Sequence, residues 1–489
     1  MRALLRQIAY LVGYGSLGVL LALLVVGVVY LRHLPQPGLP HTAMLDEEFR
    51  AADAAEVKTI AAYRAVEDRV FAQLEEQVYD RIPEGKRFRL DRFSSESLSD
   101  PLARDPNWNR TFVWDAPEPK GAVLLLHGLT DSPYSMRALA ELARDRGYSV
   151  VGLRFPGHGT APSGLVTFEW QDMAAAARLA ARDLAARIGP DKPLFIAGYS
   201  TGAAIAVEYA LARLQGESLP QVAGLILLSP AIGVSPAARF AVWQGKLARI
   251  PGLEAATWTD IAPEYDPYKY ASFSINAADQ VYRITRAIER RVAALDRGDG
   301  VTGMPPILAF QSAFDATVSA PKVVTALFAR LAAQGHELVV FDLNRNAELD
   351  LLLKPEVLRV REDLLAAPAQ RFGLTVLTNE SPQSLNLVAL RRAAGTTDVV
   401  REPSSLAWPA GIFSLSHVAV PFRPDDPLYG ATPPKAAGVL YLGRTDLLGE
   451  RGLLAVPVGD TVRLRHNPFW PYVAQRVAAF LDHPARSSP

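Results

Sequence analysis

Residues 193–202 read PLFIAGYSTG, an apolar run that passes without a break into Gly198-Tyr199-Ser200-Thr201-Gly202. Residues 203–214 then continue as a helical stretch rich in alanine. A strand that turns at once into a helix brings backbone against backbone, and glycines two positions either side of the serine remove the clash. Ser200 is left at the apex of the turn. The helix that starts there aims its first amides at whatever gathers negative charge beside the serine.

Working outward, residues 121–127 (GAVLLLH) are another unbroken apolar run, the mark of a strand buried on both faces of a parallel sheet. This run ends in His127-Gly128-Leu129-Thr130. A helical segment follows at 135–146, a short strand at 148–153 ending in RFPGHG, and a long alanine-rich helix at 170–188. Downstream, residues 306–311 (PILAFQ) read as a further strand, with Asp315 just beyond its end. Such strand–helix alternation gives an α/β fold with a mostly parallel, doubly wound sheet, whose sites collect at the carboxyl ends of the strands.

A serine hydroxyl is a weak nucleophile unless a base takes its proton and an acid orients the base. On a strand–turn–helix serine the partners follow in chain order Ser, Asp/Glu, His. Asp315 is the candidate acid; it could instead cap the helical segment near Pro321. Of the eight histidines, two lie near the N-terminal apolar segment, two precede Ser200, His336 follows Asp315 too closely, and His483 is near the end. His417 and His466 remain, and His417 is the candidate base because it follows an extended apolar segment and precedes a loop. Leu129 and Thr201 are the candidate oxyanion donors through their backbone N–H groups. His127 and His158 are expected to hold the glycine loops rather than to take part in proton transfer.

The runs LLLHGLTDSPYS (124–135), LRFPGHGT (153–160), GYSTG (198–202), the Asp315 strand end and SHVAVPF (416–422) together resemble the α/β-hydrolase superfamily, more narrowly its monoacylglycerol lipase / serine aminopeptidase-like branch. The resemblance implies a Ser200–His417–Asp315 hydrolase of esters, more rarely amides, with neither metal nor organic cofactor. Two departures stand out. Roughly a hundred residues separate Asp315 from His417, where relatives have a few tens, so an insertion is expected at about 345–406. A second segment, at about 231–303, sits where these proteins place a cap and holds Trp243, Trp258, Tyr265, Tyr268, Tyr270, Phe273 and Tyr282. Those aromatics form either an acyl pocket above Ser200 or a small core of their own.

At the other end, residues 8–31 carry no charged side chain, and 24 residues as a helix reach about 36 Å, enough for a hydrocarbon core of about 30 Å. Arg2 and Arg6 precede the run, which also suits a signal peptide, but it is longer than a signal core and no small-residue cleavage site follows. A single-pass anchor is expected, with the bulk of the chain extracytoplasmic by the Lys/Arg bias. The chain then divides into anchor and linker (1–42), an amphipathic helical segment (43–85) and an α/β-hydrolase domain (86–483). Leu45, Phe49, Ala52, Tyr63, Val66, Val70, Leu74 and Val78 form the apolar face expected to pack on that domain.

Composition closes off several classes. The 489 residues hold 51 Lys+Arg and 51 Asp+Glu, which argues against a nucleic-acid partner. Cysteine is absent, which removes disulfides, zinc–thiolate sites and thiol catalysis. What remains is a membrane-anchored serine hydrolase of lipid-like or small esters, an acyltransferase or peptidase with the same triad, or a binding module on a hydrolase fold. Asp425 and Asp426 are read as a solvated turn or as a cation site near His417.

Overall fold

The computed structural model describes residues 2–32, 36–82, 90–95, 97–233, 254–315, 318–347, 353, 359–435, 438–443, 459 and 463–483. Helix α1 (Arg2–Arg32) is followed by α2 (Ile60–Gln77) and by strands β1 (Phe112–Trp114) and β2 (Ala122–Leu126). Next come α3 (Arg137–Asp145), β3 (Ser149–Leu153), α4 (Trp170–Ile188), β4 (Leu194–Tyr199), α5 (Thr201–Leu214) and β5 (Gly224–Leu228). A small hairpin, β6 (Trp258–Asp260) and β7 (Phe273–Ser274), leads into α6 (Ile275–Leu295), β8 (Ile307–Ser312), α7 (Ala320–Ala326) and β9 (Glu337–Phe341). The last elements are α8 (Val360–Ala366), β10 (Gly373–Asn379), β11 (Asn386–Arg392), β12 (Val399–Ala407) and α9 (Trp470–Asp482).

Ten strands form one sheet in the order β1-β3-β2-β4-β5-β8-β9-β10-β11-β12. From β3 to β10 all neighbours are parallel, while β1 at one edge and β11 and β12 at the other run antiparallel to their partners. The unbroken apolar runs of the sequence are explained by alternation. Ala122, Leu124 and Leu126 of β2 face one core layer, with α4, α5 and α6, whereas Val123 and Leu125 face the other, with α3 and α9. Both faces are dry, so every position must be apolar.

From β2 the chain moves to β3 on one side, then crosses to β4 on the other. The loops after β2 and β4 therefore diverge from a shared crevice at the strands' carboxyl ends, where open α/β sheets place their sites.

The segment ahead of the sheet departs from expectation. Of residues 43–82, only Ile60–Gln77 forms a long α-helix, capped by Thr59, whose side chain accepts the Ala62 N–H. Residues 43–50 are not helical, because Glu48 turns inward onto Arg154 of the sheet. Phe49, Tyr63, Val66 and Val70 do pack into the main core, whereas Ala52 is exposed. Helix α1 is about 46 Å long, its Tyr10–Gly27 stretch has mean hydropathy 2.0 and is not buried, and among the described residues it alone is long and apolar enough to cross a membrane.

The long stretch before His417 extends the sheet. Strand β10 continues the parallel order beside β9, then β11 and β12 fold back as a meander. The chain leaves and re-enters at one neck: the Asn344 backbone N–H donates to Phe413 O (2.9 Å) and its Nδ2 to Ile412 O (2.8 Å). His417 thus reaches its place as though the insertion were a closed loop.

Candidate active site

The turn after β4 is as tight as its glycines imply. A Cβ on Gly202 would lie 2.1 Å from Leu126 O, and one on Gly198 2.5 Å from Ala203 N. Ser200 itself sits at φ 54°, ψ −115°, a left-handed conformation that side chains other than glycine adopt at a cost. The turn is held there because the Ser200 N–H donates to Leu228 O and the N–H of Ala231 donates to Ser200 O.

Around that turn three distant residues meet. The Ser200 hydroxyl lies 3.1 Å from His417 Nε2, and His417 Nδ1 lies 2.5 Å from Asp315 Oδ2. Asp315 also accepts from Gln311 Nε2 (3.1 Å) and from the Val318 N–H (2.9 Å), the pattern of an ionised carboxylate. It follows that His417 Nδ1 carries the proton donated to Asp315, leaving Nε2 to accept from Ser200. The helix after Asp315 has Ser319 at its N-cap position, so Asp315 is not the cap of that helix. His417 begins a short turn pinned by Ser416 Oγ, which donates to Leu464 O, and by the Asn467 N–H, which donates to Phe422 O. His466 belongs to this supporting segment and is buried in it.

Leu129 and Thr201 flank Ser200 on the wall of a cavity of about 400 Å³. The histidine two residues ahead of Leu129 has a defined part. His127 Nε2 accepts the Phe155 N–H (3.0 Å), so its Nδ1 must carry a proton and donate to Gly128 O (2.8 Å). Burial, reinforced by His158 beside it, holds the His127 imidazole well below its ordinary range and therefore neutral. Burial also brings His158 down to about 4, and its Nδ1 donates to Pro156 O. Neither reaches Ser200 by a hydrogen bond.

The aromatic segment divides between the wall of this cavity and a separate small core. Tyr265, Tyr270 and Phe273 line the cavity with Ala278 and Val281, whereas Tyr268 stacks on Tyr134 in a separate small core with Phe422 and Tyr429. Trp258 packs edge-on against His41, Tyr282 lies half-buried on α6, and Trp243 lies outside the described residues. Basic groups that no sequence motif marks also line the cavity: Lys269 Nζ donates to Thr130 Oγ1 (2.8 Å) and pairs with Asp131, and Arg465 donates to Tyr265 OH (3.1 Å). The fold alone brings them there.

Asp426 fits neither of its expected readings. It is buried, accepts from Tyr134 OH and pairs with Arg137 at 2.9 Å, because the turn folds inward; only Asp425, paired with Arg423, is solvated.

Residues 117–343 match the family model described as serine aminopeptidase, S33. Over these residues the chain is similar to the α/β-hydrolase superfamily, on its monoacylglycerol lipase / serine aminopeptidase-like branch. The chain is 30% identical over 127 residues to phospholipase YtpA of Bacillus subtilis, across 25% of this chain and 45% of that protein. It is also 30% identical over 127 residues to a thermostable monoacylglycerol lipase of a Bacillus species, across 26% and 47%. The match therefore spans about half the length of these curated relatives. Among solved structures, one from a study of the metagenome-derived lipolytic enzymes LipS and LipT aligns over 52% of this chain and 98% of its own, at 22% identity and TM-score 0.38. The family model ends at residue 343, one residue short of Asn344, where the extra sheet departs.

Proposed function

We propose that this chain is a membrane-anchored serine hydrolase that cleaves carboxylic esters, lipid-like in character, through Ser200, His417 and Asp315. The observation that carries the reading is the continuous relay from Ser200 Oγ to His417 to Asp315 at the base of a cavity with one apolar wall. In this scheme His417 Nε2 takes the Ser200 proton as Oγ attacks the acyl carbonyl, and Asp315 stabilises the imidazolium that forms. The Leu129 and Thr201 amides receive the developing oxyanion. His417 then returns the proton to the leaving alcohol, an acyl-serine remains, and water activated by the same histidine releases the acid.

The lipid-like substrate is inferred from the anchor and from the way the linker packs. Residues 1–42 are taken as anchor and linker, with the bulk of the chain extracytoplasmic. The linker lies against the hairpin whose β7 end lines the cavity: His41 Nε2 meets Ser272 Oγ at 2.9 Å, and the Ser163 N–H donates to Pro40 O. From Arg32 to Gln36 the chain can extend at most about 14 Å. A membrane at the end of α1 would thus hold the cavity close to its surface. Turnover of p-nitrophenyl butyrate by the full chain should vanish in Ser200→Ala with the melting temperature preserved; activity that survives this change overturns the proposal.

A further inference from the structure

The segment between the anchor and the sheet reaches the site by a route that the sequence does not hint at. Glu48 holds Arg154 with both oxygens, at 2.7 Å to Nη2 and 3.0 Å to Nη1, and its Oε2 also accepts the Gly157 N–H at 2.9 Å. Glu67 of α2 takes Arg154 Nε at 3.1 Å and accepts both the hydroxyl and the N–H of Thr111. Tyr63 OH donates to Arg154 O, and Arg154 Nη1 donates to His158 O. Arg154 is fully buried, and both carboxylates are nearly so.

The next residue, Phe155, gives its N–H to His127 Nε2, and His127 Nδ1–H grips Gly128 O. The Gly128 carbonyl and the Leu129 N–H belong to one planar trans peptide and point opposite ways. A histidine that fixes this carbonyl therefore also aims the amide.

We propose that Glu48 and Glu67 are positioning residues for the oxyanion amide of Leu129, acting through Arg154, the loop 155–157 and His127, so that the anchor-proximal segment completes the active site. This inference rests on the hydrolase reading above and adds a part of the chain that lies outside the matched family region. Two carboxylates face one guanidinium. Burial pushes Glu67 up against the pull of Arg154, while for Glu48 the Arg154 charge and three sets of hydrogen bonds outweigh burial and hold it below its usual range. Glu48 is accordingly the charged anchor of the pair, and removing it leaves Arg154 with Glu67 alone.

The test is made on the full chain in detergent, comparing wild type with Glu48→Ala, Glu48→Gln and Ser200→Ala. We measure kcat and KM for p-nitrophenyl butyrate, the inhibition constant of an alkyl trifluoromethyl ketone that forms an oxyanionic adduct with serine, and the melting curve. Losing an oxyanion donor outright costs about 100- to 1,000-fold in kcat, and misaiming it should cost about ten-fold. The expected result is kcat down by that factor in Glu48→Ala, KM within about two-fold, the ketone's inhibition constant raised in proportion to the kcat loss, and partial recovery in Glu48→Gln. If Glu48→Ala does not fold, Glu48→Gln carries the test, with a smaller but parallel loss in kcat and ketone affinity. Unchanged kcat and ketone affinity in whichever variants fold, or a change in KM alone, overturns the inference. Wild-type turnover indifferent to Ser200 overturns the hydrolase reading instead.

Discussion

Strands β2, β4, β5 and β8 and strands β10, β11 and β12 share one sheet, yet they are built to different tolerances. In the first group every residue is buried, and backbone meets backbone so closely that Gly202 has no room for a methyl group. In the second, burial falls away strand by strand until β12 alternates between exposed and half-buried residues, with Val400 58% exposed. Leu129, Ser200 and Asp315 follow strand ends of the first group, and His417 reaches them from beyond the neck that closes the second. The difference teaches where precision is kept: side chains that must meet within about 0.5 Å need a scaffold packed on both faces. An extension needs only to return the chain through a fixed neck.

The largest expected effect falls at the tight end of this comparison. Ser200→Ala should lower kcat about 10,000-fold or more while the fold holds, as read by turnover and circular dichroism together. Gly202→Ala should be nearly as damaging for a different reason. Its new Cβ meets the Leu126 carbonyl, so a loss of about 3 kcal/mol or outright failure to fold is expected in chemical denaturation. A Gly202→Ala protein of ordinary stability would mean that the parallel core yields more than its packing implies.

Acidity should separate the two regions as well. Burial lowers His158 and His336 to about 4, and holds His127 well below its ordinary range. Each binds a proton more readily when unfolded, so stability is full above about pH 6.5 and is lost as pH falls from 6.5 toward 4, by up to about 1.4 kcal/mol per pH unit for each group. Residues 345–406 contain no histidine, so this loss belongs to the core. His336→Gln should flatten the slope of stability against pH by about one group's share; a slope that does not change removes His336 from the account.

At the neck, Asn344→Ala removes the side-chain bonds to Ile412 O and Asn379 and should cost about 1–3 kcal/mol, with kcat down several-fold because His417 follows five residues on from Ile412. Val400→Lys, on the open edge, should stay within about 0.5 kcal/mol and leave kcat unchanged. A larger effect at Val400 than at Asn344 would reverse the comparison.

How much of this was legible depended on whether the cause was local. The apolar runs, the glycines around Ser200 and the position of Asp315 after its strand all follow from short-range chemistry, and the structure has strands and a tight turn there. His417 could be read only as a choice against His466, because the insertion hid the spacing; the structure brings His417 to both Ser200 and Asp315. Three features were not legible. The apolar periodicity of 43–85 reads as one helical segment, but residues 43–50 are not helical, since Glu48 answers to Arg154, more than a hundred residues away. Strands β10 to β12 joining the same sheet is a matter of edge pairing that composition does not encode. The inward turn of Asp426 depends on Tyr134 and Arg137, which no local pattern could connect to it.

The most direct test of the central claim is fluorophosphonate labelling of the full chain, on wild type and on Ser200→Ala, His417→Ala and His466→Ala. The account predicts labelling that needs Ser200 and His417 and persists in His466→Ala. Labelling that survives His417→Ala at the wild-type rate, or that disappears with His466→Ala in a folded protein, contradicts it.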